Sequence, residues 1–371
     1  MASSSHYHYH KDDDDDFDNI FDDVLDDPNL FPEPKERKKR IFIERNREEG
    51  HKNLWNDYFS DTPTYPHNLF RRRFRMNKPL FLYIVNRLST EVDYFQQRED
   101  AAGRSSLSSL QKCTAAIRQL AYGASADAID EYVRLGETTS RKCLHQFTAG
   151  IIQLFGDEYL RHPTPYDLQR LLHLGEQRGF PGMVGSIDCM HWEWKNCPNA
   201  WKGMYSRGTG KPTIVLEAVA SQDLWIWHAF FGAPGTMNDL NILDRSPVFD
   251  DIINGIAPEV NFYVNGREYH LAYYLTDGIY PNWATFVQSI RLPQTEKQSL
   301  FAKTQESVRK DVERAFGVLQ ARFAVSKMNE IQTLLRNFKM RILHLPLKSL
   351  QNPPTVWVVG KKFGINKPIY N

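Results

Sequence analysis

The chain has 371 residues, 41% hydrophobic and 13% aromatic, enough for one sizeable core plus a smaller domain. Its formal net charge of +1 conceals a strong segregation of sign along the sequence. No apolar run approaches the ~20 residues that cross a bilayer, and the opening MASSSHYHYHKDDDDD has no apolar leader stretch, so the expectation is a chain neither membrane-spanning nor secreted. The four cysteines, Cys113, Cys143, Cys189 and Cys197, form no CxxC pair and no disulfide-like framework, which suits reduced thiols in a cytosolic or nuclear setting.

Residues 1–66 read as a disordered acidic and basic tail. Asp12 to Asp27 holds ten Asp, Lys35 to Arg40 (KERKKR) is basic, and neither has sustained apolar periodicity. The basic cluster has the form of a nuclear localisation signal, and a solvated charge run explains it equally well. The acidic block is read first as a solubility feature, then as a mask for basic surfaces or a partner contact.

Residues 67–165 read as a small all-α domain. Pro79 to Leu88 is an apolar segment whose Pro suits the first turn of a helix. Leu110 to Tyr122 has apolar residues at 110, 113, 117, 120 and 121 and stops at Gly123. Ala126 to Leu135 ends at Gly136, and a longer helix follows, with N-cap candidates at Thr138, Thr139 and Ser140. Two short helices, a Gly-bounded turn and a third helix carrying Arg141, Lys142 and His145 resemble a helix-turn-helix, which would place Ser140 to Gln146 in a DNA groove. A structural cap is an equal alternative. Upstream, Arg71 to Arg75 (RRRFR) sets arginines around an aromatic, a pattern suited to phosphate contact.

Pro163-Thr164-Pro165 marks the expected boundary to a second domain, residues 166–324. A short helix (Tyr166 to Glu176) leads to a buried strand, Met183 to Ile187, that ends on Asp188. Thr213 to Ala220 and Trp225 to Gly232 form an antiparallel meander of β-branched and aromatic residues. Pro234-Gly235-Thr236 opens a helical segment interrupted by Pro247. Asn265-Gly266 is a hairpin turn between Asn261 to Val264 and a returning strand that runs to Leu275, after which comes Asp277. A polar interval follows, then one long helix with the stripe Val308, Val312, Phe316, Leu319 and Phe323, and Glu313 at its edge. With the short Asn261 run as an accessory, the order is strand, strand, strand, helix, strand, helix. That is the order of an α/β, ribonuclease H-like mixed sheet with flanking helices, in which Asp188, Asp277 and Glu313 could converge at one sheet edge.

Several motifs in the same order, GSIDCMHW, AFFGAPGTMNDLNIL, YYLTDGIYP and VERAFGVLQARF, resemble the PIF/Harbinger superfamily of transposases and the nuclease-like proteins derived from them, especially plant members. The resemblance covers roughly residues 70 to 323. By motif, the family's DDE catalytic triad falls on Asp188, Asp277 and Glu313, and the 35 residues between the last two are similar to its spacing. The resemblance implies DNA strand cleavage and transfer, a divalent cation (Mg²⁺ or Mn²⁺), nuclear location and often a separate Myb-like DNA-binding partner. The chain departs from the family at its end. Leu345-Pro346 and Asn352-Pro353-Pro354 would interrupt the family's further helices, so residues 325–371 read as a divergent tail.

Phosphodiester attack needs an activated oxygen nucleophile and a stabilised leaving oxygen, which two hard cations held by carboxylates can supply. In that role Asp188 would bridge the cations while Asp277 and Glu313 each hold one. Asp239 is the main competitor and, with His191 and Glu193, an accessory candidate; for His191 a structural role is favoured. Lys202, Arg207 and Lys211, on an expected flexible basic loop, are candidate DNA contacts, with simple solvation an equal alternative. Pro212 after Lys211 excludes a P-loop, and His191-Trp192-Glu193 without a following PCxxC disfavours a zinc deaminase. Two functions follow: an active metal-dependent DNA endonuclease or transposase, or a domesticated, catalytically silent nuclear subunit that binds DNA or joins a chromatin complex. Homo-oligomerisation stays open, and no membrane partner is expected.

Overall fold

The computed structural model describes residues 43–323, apart from 100–102, 104, 124–125, 196, 209 and 255–258. Most of the expected N-terminal tail and the expected divergent segment 325–371 lie outside the described residues. The compact unit described below begins at Arg45. No helix among the described residues is long and apolar enough to cross a membrane.

Helices come first: α1 (Arg47–Tyr58), α2 (His67–Phe74), α3 (Lys78–Glu91), α4 (Ser109–Tyr122), α5 (Asp127–Val133) and α6 (Glu137–Tyr159). The folded part therefore starts earlier than the expected boundary at residue 66, because Leu54 and Tyr58 of α1 are buried in the helical core. That core is aromatic: Phe70 and Phe74 stack at 4.2 Å, and Phe81 lies 4.8 Å from Phe74. Local signals place most of these helices well. Pro79 occupies the first turn of α3, Ser108 and Gln111 form a capping box on α4, and Gly123 ends it in the left-handed region. The α6 cap differs from expectation. Gly136 is its N-cap, which puts Thr138, Thr139 and Ser140 inside the helix.

The RRRFR segment does not form a cluster of phosphate-ready arginines. Phe74 is fully buried, and Arg73 lies 4.0 Å over the Tyr65 ring while bonding the Tyr58 hydroxyl. Arg75 donates to the Ala121 carbonyl at 3.4 Å, which leaves Arg71 and Arg72 on the surface. A guanidinium stacked on a partly buried ring and bonded to the hydroxyl of the buried Tyr58 is engaged in packing.

After α7 (Pro165–Gln177) the chain builds a mixed sheet. Its strands are β1 (Met183–Glu193), the two-residue β2 (Ser206–Arg207), β3 (Lys211–Ala220), β4 (Ile226–Pro234), β7 (Tyr273–Leu275) and β8 (Phe286–Val287). Across the sheet the order is β4-β3-β1-β7-β8. The pairs β4/β3 and β3/β1 are antiparallel, whereas β1/β7 and β7/β8 are parallel. A separate hairpin joins β5 (Phe262–Val264) to β6 (Arg267–Tyr269) through Asn265 and Gly266, at φ 51° and 77°. Positive φ at both turn residues is what Asn-Gly supplies.

Four sheet-region expectations are corrected. Strand β1 runs on past Ile187 to Glu193, because β3 pairs with it along its whole second half. The returning strand after the hairpin breaks at residues 270–272, so β6 and β7 belong to different sheets. The interval after Asp277 contains β8, whose backbone is held by the Thr276 N–H to the Val287 carbonyl at 3.1 Å. The expected single helix is two, α11 (Glu296–Arg309) and α12 (Asp311–Arg322), broken at Lys310.

The two helices divide one sheet face between them. Val308 of α11 packs with Leu275 and Val287, whereas Val312 and Phe316 of α12 pack with Leu216, Ala218 and Trp192. The break thus falls where the antiparallel and parallel halves of the sheet meet. On the other face, α9 (Asp239–Leu243), a 3₁₀ turn opened by Pro247 and α10 (Asp250–Ile253) bring Leu243 and Phe249 onto Ile187 and Val219. The α12 end reaches the helical part: Phe323 packs on its core and Arg322 donates to the Arg75 carbonyl at 2.6 Å.

Candidate metal centre

The parallel pairing of β1 with β7 ends at Ser186 opposite Leu275. Two residues past these positions come Asp188, still on β1, and Asp277, just beyond the end of β7. Asp239 reaches the same point from the start of α9. Gly235 makes this approach possible: its N–H donates to the Thr213 carbonyl at 2.8 Å, and a Cβ there would lie 1.8 Å from the Thr213 Oγ1. Asn238 caps α9 by accepting from the Asn241 N–H at 2.9 Å, so Asp239 is not the cap of that helix.

Carboxylate oxygens of Asp188, Asp239 and Asp277 all lie within 4.8 Å of one another. Burial pushes the Asp188 carboxyl up to about 6, with repulsion from Asp277 and Glu313 adding, and with the Cys189 N–H (2.8 Å) and Arg309 opposing. Burial also raises the Asp239 carboxyl, again with repulsion from Asp277, while His191, Cys189 and Arg207 pull it down. Asp277 accepts the Ile279 N–H at 3.0 Å, which orients its side chain at the start of the following turn.

Glu313 is not part of the aspartate group. It is connected through Arg309, whose Nη1 lies 3.1 Å from Asp188 Oδ2 and whose Nη2 lies 3.1 Å from Glu313 Oε1. The helix break explains how: Val308 and Val312 are committed to the two halves of the sheet, and Arg309 between them points along β1 to Asp188.

Sequence reading missed the residues that hold this geometry. The fully buried Gln305, one turn before Arg309, donates to the carbonyls of both Thr276 and Val287 at 2.9 Å and so pins α11 to the strand ends beside Asp277. Asp311, 2% exposed, bonds Arg178 at the end of α7 and Arg314 within α12, which anchors the first turn of the helix that carries Glu313. A helical Gln, Arg and Asp carry no local signal of such tertiary partners.

The remaining candidates spread around the site. His191 is exposed on β1, 3.5 Å from Thr213 Oγ1, and Glu193 faces Lys211 at 3.8 Å. Lys202, Arg207 and Lys211 are exposed, but the expected flexible loop is largely ordered: Lys202 lies on α8 (Asn199–Tyr205) and Arg207 on β2, paired with Lys211. Trp201 and Tyr205 cause that order by packing on the buried Trp194 at 5.8 and 5.0 Å. Arg141 and Lys142 are exposed on α6, away from this cluster in sequence, with Arg141 paired to Glu137. The Cys189 thiol, beside Tyr280 at 3.6 Å, is raised by burial and is not a reactive thiolate.

Three half-buried carboxylates gather here, and the Arg309 guanidinium contacts Asp188. An oxygen-only donor set of this kind fits a hard divalent cation, and these three carboxylates can hold one. A mixed α/β domain with a clustered acidic site is thereby defined. Residues 157–342, half of the chain, match the family described as plant transposon protein, and the chain belongs to that family. Residues 50–89, spanning most of α1 to α3, match a domain of unknown function. No curated protein and no solved structure matches the chain.

Proposed function

We propose that this chain is a metal-dependent DNA endonuclease of transposase type, on a ribonuclease H-like scaffold and of the PIF/Harbinger kind. The observation that carries the proposal is the convergence of Asp188, Asp239 and Asp277 within 4.8 Å where β7 leaves β1. The strand order β4-β3-β1-β7-β8, antiparallel on one side of β1 and parallel on the other, supports the scaffold reading.

A bound Mg²⁺ or Mn²⁺ would supply Lewis acidity to a phosphodiester and lower the pKa of the attacking hydroxyl. Asp188, Asp239 and Asp277 would hold the cation in their ionised forms, and Glu313 would join them from α12. The exposed Lys202, Arg207 and Lys211 would bind backbone phosphates, with His191 beside Asp239 as an accessory. Read as a helix-turn-helix, α4, α5 and α6 would add Arg141 and Lys142 as a second DNA contact. The partners under this reading are DNA, a Myb-like DNA-binding protein and a second copy of the chain, in the nucleus.

A second reading, a catalytically silent nuclear subunit that binds DNA or joins a chromatin complex, is favoured by one observation. Glu313 stands outside the aspartate group, tied to Arg309. Nicking of supercoiled plasmid with Mg²⁺ or Mn²⁺, compared with Asp188→Asn, separates the two. Metal-dependent nicking lost in the variant supports the nuclease; a folded, cation-loaded protein that does not nick supports the silent subunit.

A further inference from the structure

The inference concerns Arg309 and rests on the metal-site reading above. Its guanidinium spans Asp188 and Glu313 at 3.1 Å each, and its side chain is only 18% exposed. The backbone that carries it is fixed: Gln305 one turn earlier is bonded to two strand-end carbonyls, and Val308 and Val312 on either side are buried. A guanidinium in this position makes charge-assisted bonds through two separate nitrogens, a geometry a point charge cannot reproduce.

We propose that Arg309 is a built-in counter-cation that occupies Asp188 and Glu313 in the metal-free protein, and that an incoming divalent cation must take Asp188 from it before Glu313 can join the site. Four carboxylates, Asp188, Asp239, Asp277 and Glu313, surround this point, and Arg309 is the cation in contact with two of them. Arg207 and His191 act electrostatically on Asp239, not on Asp188 or Glu313 as Arg309 does. The aspartate group can therefore accept a first cation with Glu313 still held by Arg309, and Glu313 becomes available only when the guanidinium moves. Arg309 acts on the cation through the carboxylates it holds, as a positioning residue.

The test is calorimetric titration of Mn²⁺ into the full chain, comparing wild type, Arg309→Gln, Arg309→Lys and Asp188→Asn. The expected result is about tenfold tighter binding in Arg309→Gln, the scale of one lost charge-assisted competitor. Arg309→Lys keeps the charge but bonds one carboxylate at a time, and is expected to bind about threefold tighter. Tighter binding in Arg309→Gln with Arg309→Lys equal to wild type would mean a field effect of the charge alone and would overturn the exchange. So would weaker or unchanged binding in both variants while Asp188→Asn loses the cation; that outcome removes the Arg309 inference and leaves the metal site standing. A wild-type chain that binds no Mn²⁺ overturns both. Should Arg309→Gln not fold, Arg309→Lys decides alone.

Discussion

The helical part and the sheet edge treat charge in opposite ways. In the helices, several cations are absorbed into packing: Arg73 over Tyr65, Arg118 4.2 Å from the Tyr132 ring centroid, and Lys112 donating to the Tyr94 carbonyl at 2.7 Å. At the sheet edge, carboxylates are gathered from three distant segments into a half-buried space with one guanidinium in contact. Clustered cations that satisfy rings and carbonyls are scaffold. Clustered anions such as Asp188 and Asp239, raised by burial, store unfavourable electrostatic energy that a ligand can release.

That contrast can be sharpened by substitutions that separate stability from cation binding. Phe74→Ala removes a fully buried ring from the aromatic core and is expected to cost about 3–5 kcal/mol in urea unfolding, with Mn²⁺ affinity measured below the transition unchanged. A loss of Mn²⁺ affinity there would break the division between scaffold and site. Gln305→Leu takes the buried amide donor from the Thr276 carbonyl and leaves the Val287 carbonyl with only the Thr276 N–H, and is expected to cost about 1–3 kcal/mol. Unlike Phe74→Ala, it should also weaken Mn²⁺ binding, because the strand end that carries Asp277 loosens. Unchanged binding in Gln305→Leu would show that β7 and β8 hold Asp277 without α11.

The pH dependence follows from Asp188. Its folded pKa of about 6 lies above the ordinary aspartate value, so its contribution to the stability of the metal-free protein is fully present below about pH 4 and is lost as pH rises through 6. Asp239 is shifted in the same direction. A divalent cation binds the ionised forms and reverses this loss. The rise in melting temperature on adding Mn²⁺ is therefore expected to be smaller at about pH 5 than above about pH 7, by about 1.4 kcal/mol (tenfold in affinity) from Asp188 alone. An increment independent of pH over that range would place the bound cation elsewhere. The smallest effect is expected at Arg72, exposed on α2: Arg72→Gln should change stability by less than about 0.5 kcal/mol and leave Mn²⁺ affinity alone.

Much of this arrangement was legible in the sequence where the signal was local. The Asn265-Gly266 turn, the Gly123 helix stop and the β3/β4 meander follow from residue types at fixed offsets, and Asp188 and Asp277 stand out because each follows a short apolar β-like run. What was hidden is tertiary. The stripe from Val308 to Phe323 keeps its helical phase across the single residue Lys310, so two helices read as one. Strand β8 has two residues and no periodicity to detect. Asp239 joined the cluster in place of Glu313 because Gly235 lets its turn close on Thr213, and Arg309 meets Asp188 across 121 positions of sequence. Neither fact has a counterpart in spacing or composition.

A divalent cation held jointly by Asp188, Asp239 and Asp277 is the core of the proposed function. The most direct test is Mn²⁺ binding at about pH 7.5, followed by electron paramagnetic resonance in wild type and in Asp188→Asn, Asp239→Asn and Asp277→Asn. Each aspartate variant is expected to stay folded and to lose at least about tenfold in affinity, Asp239→Asn as much as the others. Wild-type affinity retained in Asp239→Asn, or in all three, would contradict it.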